Sequence, residues 1–145
     1  MNRWQIRLGS WEQFGSQARE IRFEVFVAEQ GVPAELEVDR YDPVCVHALA
    51  IGESARAVGT GRLLPDGHIG RMAVLREVRS TGVGAALLRE LMQAARRRGD
   101  RRVELSSQVH AKDFYLKFGF SVIGEPYEDA GIAHIMMRAE LPATD

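Results

Sequence analysis

Cysteine is nearly absent from this 145-residue chain, with Cys45 standing alone. That excludes an intramolecular disulfide framework and argues against a cysteine-built metal site, so no metal is expected. Lysine is scarce too: Lys112 and Lys117 are the only two among 19 basic residues. Arginine therefore carries nearly all the positive charge, and its planar fork suits carboxylates and phosphates. A large excess of either sign is missing, and the net charge of −1 argues against a general polyanion binder. Long apolar runs are missing as well. The opening "MNRWQIRLGS" has no core for a signal peptide, and no later segment is long enough to span a bilayer. The expectation is a cytoplasmic protein with no membrane partner. Its length suits a single domain over residues 1–145 that can bury a core without disulfides or metals.

No repeat, low-complexity tract or linker divides the chain. "WQIRL" alternates as a short strand does, and from about Ser16 "SQAREIRFEVFVAEQ" has helical spacing. "GVPAELEVDRYDP", rich in acids and turn residues, reads as a loop or a broken short helix. Three strand-like segments follow, in "VCVHALAIGE", "ARAVGTGRLLP" and "HIGRMAV". After Gly82 an amphipathic helix sets Val83, Leu87, Leu88, Leu91 and Ala95 on one face and ends at Gly99. "RRVELSS" is then a strand, "AKDFYLKFG" a short helix, and "FSVIGE" and "IAHIMMRAEL" the last strands. This order predicts an α/β (α+β) fold: a mixed, largely antiparallel central sheet flanked by helices, with a crossover helix in the middle.

Two glycines stand where that middle helix begins, in "RSTGVG". A helix N-terminus presents unpaired N–H groups and the positive end of the helix dipole. Glycine there removes the Cβ atoms that would hold an anion away and permits the positive φ of a backbone nest. The loop suits a phosphate cradle with Arg79 and Arg76 adding charge; it equally suits a turn that lets helix and strand pack closely. A nucleoside-triphosphate loop would need Gly-Lys-Ser/Thr, but Ala85 and Ala86 follow Gly84. A dinucleotide fingerprint would need a small residue where Leu87 stands, and too little chain remains for a doubly wound sheet. Further on, Phe114 and Phe118 of "AKDFYLKFGF" are spaced to plug a core, while Tyr115 must point elsewhere.

"V-x-x-x-x-R-S-T-G-V-G", a helix, a strand and then "FYLKFGF" together resemble the GNAT superfamily of acyl-CoA-dependent N-acetyltransferases. The first stretch is similar to that superfamily's Arg/Gln-x-x-Gly-x-Gly/Ala signature, and the second to its later Phe-Tyr-x-x-x-Gly-Phe segment. "VFVAEQGVP" with "GIAHIMM" looks like a small stand-alone bacterial branch. The resemblance implies a GNAT-like acyl-CoA N-acyltransferase fold with acetyl-CoA or coenzyme A as co-substrate. It implies that Ser80, Thr81, Gly82, Val83, Gly84 and Ala85, with Arg79, bind the coenzyme A diphosphate. Met72, Ala73 and Val74 would pair their backbone with the pantetheine arm, as an added strand does. Tyr115 falls on the position of the usual general acid, beside the thioester. Ser80 departs from the glycine common in relatives, at a position that tolerates change.

Acetyl transfer needs a neutral amine, a donor for the oxyanion and a proton for the thiolate. "HIGRMAV" has no carboxylate, unlike relatives that carry a central-strand glutamate, so the base must lie elsewhere. Glu29, Glu35, Glu37, Asp39, Asp42, Glu128, Asp129 and His134 are the candidates, with Glu29, Glu37, Asp129 and His134 foremost. Loop acids are commonly only solvated, and a histidine in an apolar strand is commonly structural. Together the acid-rich loops suggest a cationic acceptor: a primary amine of a small molecule or peptide. Cys45 and His47 would share a strand face as a nucleophile pair, though a buried strand thiol explains Cys45 as well. "RRRGDRR" has no interleaved aromatics and suits a helix C-terminus. No nucleic-acid partner is expected, which leaves one of these arginines for the cofactor's 3′-phosphate. A homodimer is compatible with the pattern. The alternative to an enzyme is a non-catalytic acyl-CoA-binding or partner-regulating module that keeps the cradle.

Overall fold

In the computed structural model, which describes residues 4–143, strand β1 (Gln5–Gly9) leads through Ser10 into helix α1 (Trp11–Arg22). The helix starts five residues before the expected Ser16, and Ser10 and Gln13 form a capping box at that start. The Gln13 N–H donates to the Ser10 hydroxyl at 3.2 Å, and the Ser10 N–H donates to the Gln13 side chain at 2.8 Å. Past Arg22 the turn widens into a π-helix over Phe23–Glu29, an uncommon geometry that concentrates at functional sites. A short helix α2 (Ala34–Glu37) and a 3₁₀ turn (Asp42–Val44) complete the acid-rich connection.

Strands β2 (Val46–Ile51), β3 (Ala57–Leu63) and β4 (Ile69–Val74) then form a meander, giving an antiparallel sheet in the order β1-β2-β3-β4. Helix α3 (Val83–Arg98) crosses back over it. Its apolar face is the predicted one, with Val83, Leu87, Leu88, Leu91 and Ala95 all buried. Bare backbone on β3 lets it come close: a Cβ on Gly59 would lie 2.9 Å from Val83 Cγ1, and one on Gly61 2.9 Å from Leu91 Cδ1.

Strand β5 (Arg102–Gln108), helix α4 (Lys112–Leu116) and strands β6 (Ser121–Val122), β7 (Tyr127–Asp129) and β8 (Ile132–Glu140) make the second sheet, ordered β5-β8-β6 with β7 also on β8. Strand β7 was not apparent in the sequence, being three residues of acidic loop composition. It is created by a hairpin at Ala130 and Gly131, both with positive φ. The two sheets meet at one place, a parallel bridge between His68 and Glu104, where the Glu104 N–H donates to Gly67 O at 3.2 Å. From there β4 and β5 diverge as a wedge, open at Val74 and Gln108. A bulge accompanies the split: Arg71, at φ 50°, and Met72 together oppose only Gly61.

The acid-rich connection is clamped to the first sheet by arginines. Asp42, fully buried, accepts from Arg22 at 2.9 and 3.0 Å and from Arg62 at 2.8 Å. Arg22 also donates through Nε to the Glu37 carboxylate and through Nη2 to the Glu37 carbonyl. Arg62 forks Asp39 at 2.7 and 2.8 Å, and Arg71 reaches from the bulge to Asp39 and to the Glu37 carbonyl. Hydrogen bonds from Arg62 hold the Asp39 carboxyl down at about 2. Burial pushes the Asp42 carboxyl up, but Arg22 and Arg62 outweigh it and the net direction is down. His47 donates its Nε2 proton to Asp42 O at 2.8 Å, and burial pushes its own titration below the usual histidine value.

Asp42→Asn keeps the shape of this cluster and removes its central charge. Glu37 and Asp39 still serve the two arginines, so the loss should be near the low end for a broken buried pair, about 3 kcal/mol. Urea denaturation at pH 7 measures it. The wild type should also lose stability on the acid side, in two stages. Below pH 6.5 the unfolded chain protonates His47 first. Between 3.8 and about 2 the contribution of Asp39 disappears as it takes up its proton. Melting temperatures from pH 8 to pH 2 should fall through both windows.

Candidate active site

The two-glycine loop makes the concave anion-binding shape that its composition allows. Ser80 (φ 65°) and Gly82 (φ 98°) both take the left-handed conformation, so successive N–H groups turn toward one side. Helix α3 begins directly after Gly82 with no side-chain cap and no acid in its first turn. Its leading N–H groups are left to an external acceptor. Gly84 lies close to both α4 and the open end of β4: a Cβ there would stand 3.7 Å from Phe114 Cζ and 3.8 Å from Val74 Cγ2. Cradle, open strand edge and α4 thus meet at one glycine.

Val74 ends the β4 arm. Leu75 N–H donates to Val58 O at 2.9 Å, and Val74 pairs with Gly59, so ladder alternation turns the polar groups of Val74 into the wedge and those of Ala73 back to β3. The Val74 carbonyl accepts from Arg79 Nε at 2.9 Å, while its N–H stays on the open edge. Arg79 then grips Glu29 with its other two nitrogens, at 2.9 and 2.7 Å, and Arg76 adds a contact at 3.3 Å. The Arg79 hydrogen bonds hold the Glu29 carboxyl below its ordinary range. Arg79 is thereby committed to protein groups, and the cradle relies on backbone donors.

Tyr115 packs edge-on against Phe114 at 5.0 Å and Phe120 at 5.9 Å. Among the described residues its hydroxyl has no hydrogen-bond partner, and burial pushes its pKa up to about 12. The four other catalytic candidates fall into two groups. Glu29 and Glu37 are held in ion pairs, the latter buried against Arg22. Asp129 is exposed at the β7–β8 hairpin. His134 donates Nδ1–H to Ile132 O at 2.7 Å, which leaves the lone pair on Nε2, and its ring stacks on Tyr127 at 6.0 Å.

Residues that no motif flagged gather around His134. Gln108 is its direct partner across β5 and β8. The Gln108 side chain donates to Gln30 at 3.0 Å and accepts from His110 Nε2 at 2.7 Å. The hydroxyls of Ser106 and Tyr127 are hydrogen-bonded to each other. Alternation along "RVELSSQ" was the signal for Ser106 and Gln108, since both stand on the face opposite buried Val103, Leu105 and Ser107. The acids of the first connection, by contrast, give little to a cationic acceptor: Glu29, Glu37, Asp39 and Asp42 all face arginines. Glu35, Glu128 and Asp129 remain at the surface.

Two other sequence readings are settled by geometry. Cys45 precedes β2, its thiol donates to Tyr41 O, and burial pushes it up to about 11, so no thiolate is available for a pair with His47. In the arginine run, Arg96 binds Pro142 O and Ala143 O, and Arg98 binds Leu64 O and Asp100. That run sits at the far end of α3, about 20 Å from the cradle by helical rise. Among the described residues no group of histidine, cysteine or carboxylate side chains is placed to hold a metal, and no helix is long and apolar enough to cross a membrane.

A family model described as an acetyltransferase (GNAT) domain matches residues 16–141. An uncharacterized N-acetyltransferase of Bacillus subtilis, YjcF, is 39% identical over 124 residues, covering 83% of this chain and 88% of that protein. The crystal structure of an acyl-CoA N-acyltransferase from Pseudomonas aeruginosa superposes with a TM-score of 0.84 at 31% identity, covering 94% of this chain and 99% of that one. Escherichia coli ElaA superposes equally well, with a TM-score of 0.84 at 27% identity over 94% of this chain and 99% of that one.

Proposed function

This chain belongs to the GNAT family of acetyltransferases, and from that premise we propose that it moves an acetyl group from acetyl-CoA to a primary amine of a small molecule or peptide. Transfer would be by direct attack in a ternary complex, within one cytoplasmic domain over residues 1–145. The observation that carries the reading is the convergence at Gly84. An uncapped helix N-terminus, an unpaired strand edge and the helix bearing Tyr115 come together there.

Backbone N–H groups of Ser80, Thr81, Gly82, Val83, Gly84 and Ala85 would hold the diphosphate of the cofactor. Met72 and Val74 would offer the strand edge to its pantetheine arm, with Ala73 packed beneath. The bound co-substrate supplies an activated acetyl thioester. Val74 N–H is the strand donor free to face a developing oxyanion. His134 Nε2 would take a proton from the amine; its free lone pair supports this, as does the occupation of Glu29 and Glu37 by arginines. As the nitrogen–carbon bond forms and the carbon–sulfur bond breaks, Tyr115 would donate a hydrogen bond to the departing sulfur. A phenol held near 12 is a weaker acid than a thiol of about 8.5, so Tyr115 acts through a hydrogen bond and solvent completes the protonation.

Coenzyme A should raise the melting temperature of the wild type. Gly84→Ala should retain that shift, because a Cβ there meets only ordinary contacts. Gly84→Glu should abolish it by placing bulk and negative charge in the cradle, and equal shifts in all three proteins would refute the cofactor site. Tyr115→Phe keeps the ring packing and removes the hydrogen-bond donor. With an amine that supports thiol release from acetyl-CoA, turnover should fall by about 10²-fold with coenzyme A binding unchanged. Full turnover, where chemistry limits the rate, would leave Tyr115 as packing alone.

A further inference from the structure

Two consecutive residues at the end of the π-helix reach opposite arms of the wedge. Glu29 holds Arg79, whose Nε closes the Val74 carbonyl at the open end of β4. Gln30 accepts from Gln108 at the open end of β5. The π register persists to this point, since the Gln30 N–H still donates to Val25 O, five residues back, at 3.2 Å. The narrow end of the wedge is fixed by the His68–Glu104 bridge. Its wide end has no strand pairing, and backbone alone would let the arms close or splay.

The geometry points to the Glu29–Gln30 pair as a strap that sets the spacing between β4 and β5 before any ligand arrives. Both residues are positioning residues, acting through Arg79 and Gln108. The assignment rests on the proposed cofactor site for its effect on binding, but not for its effect on the arms themselves. Arg79 spends Nε on Val74 and its two terminal nitrogens on Glu29, so its planar fork serves to brace the loop. Preorganisation of this kind lowers the cost of binding without touching the reacting atoms.

Glu29→Gln removes the charge of the Arg79 pair, Glu29→Asp keeps the charge on a shorter stem, and Gln30→Ala cuts the other end. Loss of one charged hydrogen-bonded pair should raise the coenzyme A dissociation constant of Glu29→Gln by about tenfold. Turnover at saturating acetyl-CoA should stay near wild type, Glu29→Asp should recover part of the affinity, and Gln30→Ala should weaken binding without altering the charge. Hydrogen exchange on the ligand-free proteins is the independent readout. Amides at the ends of β4 and β5 should exchange faster in Glu29→Gln and Gln30→Ala than in wild type, while those of α3 should not. Unchanged exchange at both strand ends would overturn the strap. So would tighter coenzyme A binding by Glu29→Gln, since that would make Glu29 a competitor of the diphosphate for Arg79. A wild type indifferent to coenzyme A would sink the cofactor reading, and exchange would still decide the strap.

Discussion

Asp42, buried between Arg22 and Arg62, is the contact on which the arrangement of the wedge depends. Arg22 closes α1, Arg62 belongs to β3, and the acid comes from the connection between them, so one carboxylate registers helix, sheet and connection together. The same connection reaches the β4 bulge through Asp39 and Arg71. A buried ion pair is weak as a source of net stability, because desolvation cancels much of its attraction. Its effect here is geometric: with charges that must meet, α1 has one depth against the sheet. The π-helix then leaves α1 in one direction only.

The parts legible in the sequence are those set by local or periodic rules. Helix α3 follows from its apolar repeat and its two flanking glycines, and the cradle from the residue types that permit positive φ. The use of β4 as an edge for an added strand follows from the resemblance. The partners of the acids were not legible, because Arg22–Asp42, Arg62–Asp39 and Arg79–Glu29 join residues 20, 23 and 50 positions apart. A carboxylate facing an internal arginine and one facing a substrate are spelled alike. The start of α1 was overlooked for a different reason: Ser10 and Gln13 announce it by capping, and the first core-facing residues, Trp11 and Phe14, are only partly buried. His110 and Gln108 were overlooked because no motif surrounds them and their meaning lies in the hydrogen bonds between them.

Charge is distributed unusually for a site that would receive a diphosphate. The side chains that look most suited to phosphate, Arg76 and Arg79, lean on Glu29, and the donors left at the cradle are peptide N–H groups. Such donors are fixed by the fold and need no reorganisation when an anion arrives. The groups proposed to handle protons stand away from β4: Tyr115 beyond β5, and His134 on β8 with its Nδ1–H on Ile132 O. On the proposed reading, binding and chemistry fall to different halves of the split sheet.

The framework cations, Arg22, Arg62, Arg71 and Arg79, are without exception guanidinium groups, in a chain with only two lysines. An amine that loses its proton near neutral pH attacks a thioester; a guanidinium, protonated at every working pH, does not. Under the proposed chemistry the charges that hold the cleft in shape are inert to the reagent the cleft would hold. Under the same chemistry, Lys112 and Lys117 are the two side-chain amines that could be acylated.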